Sequence, residues 1–143
     1  MKGGIHVLLV EDNEGDIVLT QEAFEERKII AQLSVARNGE EALAFIDEAL
    51  NEGKNELPDL ILLDLNMPVK NGFEVLEQLK DNPETKSIPV IVLTTSSSQR
   101  DVDTAYRHRA NTYITKPLDI DEFIQAIIKI ERFWLQLTRL PKS

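Results

Sequence analysis

Apolar side chains along this chain fall into two alternating patterns. Five short runs are rich in leucine or β-branched residues: 6–10 (HVLLV), 33–37 (LSVAR), 60–64 (LILLD), 90–94 (VIVLT) and 112–115 (TYIT). HVLLV, LILLD and VIVLT are apolar at nearly every position, as a strand reads when both faces of its sheet are covered. The runs at 33–37 and 112–115 alternate or carry polar residues, which places them near the sheet edges. Helical patterns separate the runs. Residues 14–27 carry Ile17, Val18 and Phe24, and residues 40–52 carry Ala42, Leu43, Ile46, Ala49 and Leu50 at i, i+3, i+4, i+7 spacing. Residues 71–80 carry Phe73, Leu76 and Leu79, and residues 99–107 carry Val102, Ala105 and Tyr106. A last helix begins near Asp119 and runs past Trp134. Gly39, Gly53, Pro58, Pro83, Pro89 and Pro117 mark the boundaries. Strand then helix, five times over, predicts an α/β fold with a parallel sheet sandwiched by helices and right-handed crossovers.

Composition narrows the chemistry. At 143 residues the chain has room for one ordinary domain, and a hydrophobic share of 42% supplies its core. Sixteen Lys and Arg against 25 Asp and Glu leave a net charge of −9. So acidic a chain lacks the basic footprint of nucleic-acid or anionic-membrane binding, and neither partner is expected. Cysteine is absent, which excludes disulfides, thiolate catalysis and Cys-ligated metal centres. His6 and His108 are the only histidines, too few for a His-rich metal site. No signal peptide or membrane span is recognisable, and a cytoplasmic setting is expected.

In a doubly wound sheet, ligands bind beyond the carboxyl ends of the strands, where strand order reverses. Those ends carry Glu11 and Asp12 after the first strand, Asp64 after the third, Thr94 at the close of the fourth, and Lys116–Pro117 after the fifth. Clustered carboxylates repel and raise one another's pKa, a penalty that a divalent cation removes. Oxygen ligands without Cys or His favour Mg²⁺. Lys116 adds a compact positive charge for an incoming anion. Metal and Lys together make an electrostatic cradle for a phosphoryl group, in which a carboxylate could act as nucleophile and hold an acyl phosphate. Each residue alone has an ordinary explanation: a turn acid, an N-cap, a strand hydroxyl, a solvated lysine. Their joint placement at four strand ends is what points to a site.

The stretches VLLVEDNEGD, DLILLDLNMPVKNG, PVIVLTTS and YITKP, in that order, resemble the receiver domain of bacterial two-component response regulators. The resemblance covers about residues 5–130, the core receiver, and leaves 131–143 as a C-terminal extension of a single domain without an output domain. It implies a flavodoxin-like doubly wound sheet of five parallel strands in the order 2-1-3-4-5 with five helices, the last one extended. It implies that Asp64 accepts a phosphoryl group from a phosphohistidine on a sensor histidine kinase. It implies that Asp12, Asp64 and the backbone carbonyl of Asn66 bind Mg²⁺, with Glu11 acting through bound water. Lys116 would contact a phosphoryl oxygen, the Lys116–Pro117 bond would be cis, and Thr94 would hydrogen-bond the phosphoryl group. Thr94 and Tyr113 would form the switch: Thr94 moves inward, the Tyr113 ring follows, and the face of the fourth helix, fifth strand and fifth helix repacks. Met67–Pro68 would shape the loop after Asp64, and Gly72 would permit close backbone approach at the third helix. Ser98 ahead of Asp101 is an S-x-x-D cap, and Asn66 and Ser96 occupy positions that tune acyl-phosphate hydrolysis in the family. The chain is thus expected to be a phosphoacceptor, not an enzyme, with at most slow autodephosphorylation.

The last helix carries too much apolar surface. Ile120, Phe123, Ile124, Ile127 and Trp134 share a core-facing side, with Ala126, Ile130, Phe133 and Leu137 on one flank and Ile128 and Leu135 on the other. The arc spans roughly 240°, against the ~100° stripe of a surface helix. Part of it is therefore expected to be covered, either by the tail folding back on its own domain or by a second copy in a homodimer through the fourth helix, fifth strand and fifth helix, with Ile130, Phe133, Trp134 and Leu137 at the interface. The tail FWLQLTRLP and the loop DNPETKSIP resemble stand-alone receivers that partner bacterial phytochromes, which implies a light-sensing histidine kinase as donor.

Two rivals stand beside this. An Mg²⁺-dependent aspartyl-phosphate phosphatase carries a second Asp two residues beyond its nucleophile as general acid–base. Here that position is Asn66, which cannot shuttle a proton. The other rival is a receiver-like scaffold that never takes up phosphate, and a complete acid cluster argues against it.

Overall fold

The apolar runs form five parallel strands, β1 (Ile5–Val10), β2 (Ile30–Ala36), β3 (Leu60–Leu63), β4 (Val90–Thr94) and β5 (Thr112–Thr115). Five helices alternate with them: α1 (Glu14–Arg27), α2 (Gly39–Glu52), α3 (Gly72–Asp81), α4 (Gln99–Arg107) and α5 (Ile120–Arg139). The computed structural model describes residues 5–27, 30–53, 56–65, 71–95, 98–116 and 119–139, and only the backbone of residues 26, 27, 30, 31, 120, 131 and 134–139. Strand order is β2-β1-β3-β4-β5, the expected doubly wound arrangement. None of the described helices is long and apolar enough to cross a membrane.

Strand periodicity divides the core in two. Leu8, Val10, Ile61, Leu63, Val90 and Val92 face a cluster with Ala42 and Ile46 of α2, Val75, Leu76 and Leu79 of α3, and Ala105 of α4. The alternate residues Val7, Leu9, Leu60, Leu62 and Ile91 face Ile17 and Phe24 of α1 and Phe123, Ile127 and Ile130 of α5. Successive side chains point to opposite faces, so burying both demands apolar residues throughout. That is why the three central strands were the plainest runs in the sequence.

Most element ends move by one residue or none, and two larger differences from the sequence reading stand out. β2 starts at Ile30 rather than residue 33, because backbone pairing with β1 extends to Ile5↔Ile30 past the exposed Gln32. An edge strand keeps its ladder whatever its outward side chain is. The second difference is in α5. Ile130 was expected at a dimer interface, but it is 1% exposed and packs into the chain's own core. Seven residues of helix turn about 700°, which returns Ile130 to within roughly 20° of the buried Phe123. Ala126 is likewise buried, whereas Ile124 is only half-buried. Phe133 is half-buried against the same core, and the side chains of Trp134 and Leu137 lie outside the described residues.

Caps set where the helices begin. Asn13, Asn38 and Ser98 accept from the backbone N–H of Asp16, Glu41 and Asp101, at 2.9, 2.9 and 3.1 Å. Asn71 and Glu74 close a reciprocal capping box on α3. Its first residue, Gly72, lies against the end of β3. A Cβ there would stand 2.4 Å from the Asp64 carbonyl oxygen and 2.6 Å from the Leu65 Cα, so the close approach requires glycine. Gly72→Ala is therefore expected to lower unfolding free energy by about 1–3 kcal/mol, the usual cost of forcing atoms into a packed site. Urea denaturation of the two proteins measures the difference.

Candidate functional site

The strand ends bring the predicted residues together. Glu11, just past β1, donates its N–H to the Ala36 carbonyl at 2.9 Å, and Asp64, just past β3, donates to Val10 at 3.0 Å. Lys116, just past β5, donates to the Thr94 carbonyl at 2.6 Å. These bonds carry the strand pairing one residue beyond the strands and fix the backbone under each side chain. Glu11, Asp64, Thr94 and Lys116 are all buried, and Asp12 is exposed. Glu11, Asp12 and Asp64 each place a carboxylate oxygen within 4.8 Å of the others, a donor set that fits a divalent cation.

The Lys116 ammonium stands inside this acid cluster. It donates to Glu11, to Asp16 at 2.8 Å and to Asp64 at 3.5 Å. Burial pulls its pKa down, but the bonds to Asp16 and Glu11 and the Asp64 charge outweigh burial and hold it above the usual lysine value. Glu11 moves the other way from an ordinary carboxylate. Burial pushes it up to about 7, against the Lys116 hydrogen bond that lowers it, and the Asp64 charge adds to the rise. Asp16, in the first turn of α1, is the one member of this group that the sequence did not announce.

The expected switch residues lie on one face of the sheet. β4 and β5 pair Val92 with Tyr113 and Thr94 with Thr115. Val92 and Thr94, two residues apart, point to the same face, so Thr94 and Tyr113 share it. Tyr113 is half-buried against the cluster under α2, α3 and α4. Asn66, Met67, Pro68, Ser96 and Pro117 lie outside the described residues, and with them the expected Asn66 carbonyl ligand and the cis Lys116–Pro117 bond.

Comparison with known proteins agrees with this geometry. The family model described as the response regulator receiver domain matches residues 7–128. The chain belongs to that family. Among similar proteins, Response regulator Rcp1 of Synechocystis is 42% identical over 137 residues, which are 96% of this chain and 93% of that protein. The crystal structure of the phosphorylated cyanobacterial phytochrome response regulator RcpA superposes with a TM-score of 0.87 at 40% identity, covering 97% of this chain and 99% of that one. The Mn²⁺-bound form of Rcp1 gives a TM-score of 0.83 at 42% identity, with 96% and 99% covered. The receiver thus has the flavodoxin-like fold and the phosphoacceptor role in two-component signalling that its motifs implied.

The receiver's acid pocket has a pH signature. Because folding raises the Glu11 pKa from 4.5 to about 7, the folded state holds a proton there that the unfolded chain has lost. Stability from this group is therefore present at low pH and is lost as pH rises from about 4.5 to 7. With a chelator present, Glu11→Gln should gain stability relative to the parent protein through this window, and the gap should be level above it. Urea unfolding at a series of pH values reads that difference.

Proposed function

We propose that Asp64 is the phosphoacceptor of this receiver and that the phosphoryl donor is the phosphohistidine of a sensor kinase of the phytochrome type. The observation that carries the reading is the meeting of Glu11, Asp12 and Asp64 with the Lys116 ammonium at adjacent strand ends. The resemblance of the whole chain to a phytochrome response regulator supports the choice of donor. Mg²⁺ would be held by Asp12, Asp64 and the Asn66 backbone carbonyl, with Glu11 acting through bound water, and would supply charge neutralisation for the acids and the phosphoryl oxygens. An Asp64 oxygen attacks phosphorus, the P–N bond to the donor imidazole breaks, and that nitrogen takes a proton from solvent. Lys116 offsets charge on a phosphoryl oxygen and the Thr94 hydroxyl donates to another. Asn66, two residues beyond Asp64, cannot shuttle a proton as a general acid–base, in keeping with a signal carrier rather than a phosphatase.

The readout runs through Thr94 and Tyr113 to the surface of α4, β5 and α5, and from there to protein partners in the cytoplasm. In this reading residues 1–143 form a single receiver, and their net charge of −9 disfavours direct contact with nucleic acid. Asp64→Asn should abolish labelling by the cognate kinase and by acetyl phosphate with Mg²⁺, as read by intact mass. Labelling at another residue would reject Asp64 as acceptor. Rapid release of inorganic phosphate from small monoesters would favour the phosphatase instead.

The same surface is proposed as a homodimer contact, extended by Phe133, Trp134 and Leu137 and no longer including Ile130. It is supported by Tyr106, 49% exposed on α4, and by the apolar residues Phe133, Trp134, Leu135 and Leu137 near the end of the α5 sequence. Trp134→Glu and Phe133→Glu should each weaken self-association by placing a charge in an apolar contact. Sedimentation of the parent chain that does not change with concentration would remove the dimer.

A further inference from the structure

The assignment of Asp64 and Lys116 leaves Asp16 without a role. An ammonium has three N–H donors, and the carboxylates of Glu11, Asp16 and Asp64 take all three. To meet a phosphoryl oxygen, Lys116 must give one of them up. Glu11 and Asp64 belong to the acid group that fits a cation, and Asp16 does not. The contact to Asp64 is also the longest, 3.5 Å against 2.8 Å to Asp16. Asp64 is thus the acceptor that is exchanged, and Asp16 the one that stays.

Local structure explains why Asp16 points inward. It is the third residue of α1, where an acid commonly folds back to the N-cap amide. Here the N-cap is Asn13, and its N–H is taken by the Glu11 carboxylate at 3.2 Å. The Asn13 side chain accepts from the Asp16 N–H at 2.9 Å, and Thr20 donates its hydroxyl to the Asp16 carbonyl at 2.7 Å. The backbone is held at both ends, and the carboxylate is left to Lys116.

We propose that Asp16 is a positioning residue for phosphoryl transfer: it anchors the Lys116 ammonium on the α1 side of the pocket, so that one N–H is presented at the Asp64 oxygens and is exchanged for a phosphoryl oxygen. This deepens the proposed function and rests on it. Asp16 touches neither the phosphoryl group nor the cation and acts only through Lys116.

The test is the rate of phosphorylation by acetyl phosphate at saturating Mg²⁺, with thermal melts to show that each variant folds. Asp16→Asn should slow the reaction about tenfold, as expected for one lost orienting contact. Asp16→Glu, with a carboxylate on a longer stem, should recover to within about threefold of the parent rate. In a Lys116→Met background Asp16→Asn should cost nothing further, since its partner is gone. Where that background is too slow to read, recovery by Asp16→Glu decides. An Asp16→Asn rate equal to or above the parent, the same loss in both backgrounds, or an Asp16→Glu rate as low as Asp16→Asn would overturn the anchoring role. A parent protein that takes up no phosphoryl group, or an Asp64→Asn protein that still does, would overturn the function itself.

Discussion

The buried ammonium of Lys116 is what the rest of the pocket depends on. It comes from the edge strand β5, yet it reaches acids that follow β1 and β3 and one on α1. A lysine that is 7% exposed is stable only with partners, and acids this close are stable only with a cation among them. Each side therefore supports the other, and the fold brings them together by ending neighbouring strands at one level. The balance is incomplete: Glu11, Asp12, Asp16 and Asp64 face one lysine. Burial, and after it the Asp64 charge, lift the Glu11 pKa to about 7 against the pull of Lys116; four carboxylates against one ammonium leave a surplus of acid. That surplus gives a divalent cation its driving force.

Most of the fold was legible because two-sided burial leaves no ambiguity. A strand such as VIVLT, buried at all five positions, has no polar face to misread. The functional residues were legible for a related reason. An acid directly after such a strand must stand at the rim, whatever its rotamer, so Asp64 could be placed from its strand end alone, whereas Lys116 follows the less buried β5 and its place rested more on the YITKP motif. The half-exposed elements gave less. β2 hides its first residues behind Gln32, because an edge strand needs only its backbone to pair. Ile130 went astray because helical angles accumulate: a small drift per turn decides which of several apolar residues faces the sheet after three turns.

Asp16 was illegible for a different reason. An acid in the first turn of a helix complements the helix dipole and needs no other explanation. Its inward aim depends on the Glu11 side chain claiming the Asn13 amide, and on Lys116 arriving 100 residues later in the chain. Neither condition is local. Motif spacing recovers residues that sit on the rigid ends of strands, but not those whose direction is settled by a contest among side chains.

The same contrast bears on where a switch in this fold would move. At the lower end of the sheet, Lys80 donates to the carbonyls of Lys86 and Ile88 at 3.0 and 2.8 Å, and lies 3.4 Å from the Asn111 side-chain oxygen. That oxygen also accepts from the Val90 N–H at 2.9 Å. These Lys80 partners are amide oxygens, and burial and the nearby Arg109 charge lower the Lys80 pKa. Arg109 in turn pairs with Asp81 at 2.8 Å. These bonds tie the end of α3, the following loop and the turn between α4 and β5 into one block. At the upper end, α4 begins on the Ser98 cap, close to Thr94 in the chain. In the proposed switch, the tied C-terminal turn is the end of α4 expected to stay in place. Rearrangement at Thr94 would then move the start of α4 most, on the sheet face it shares with Tyr113.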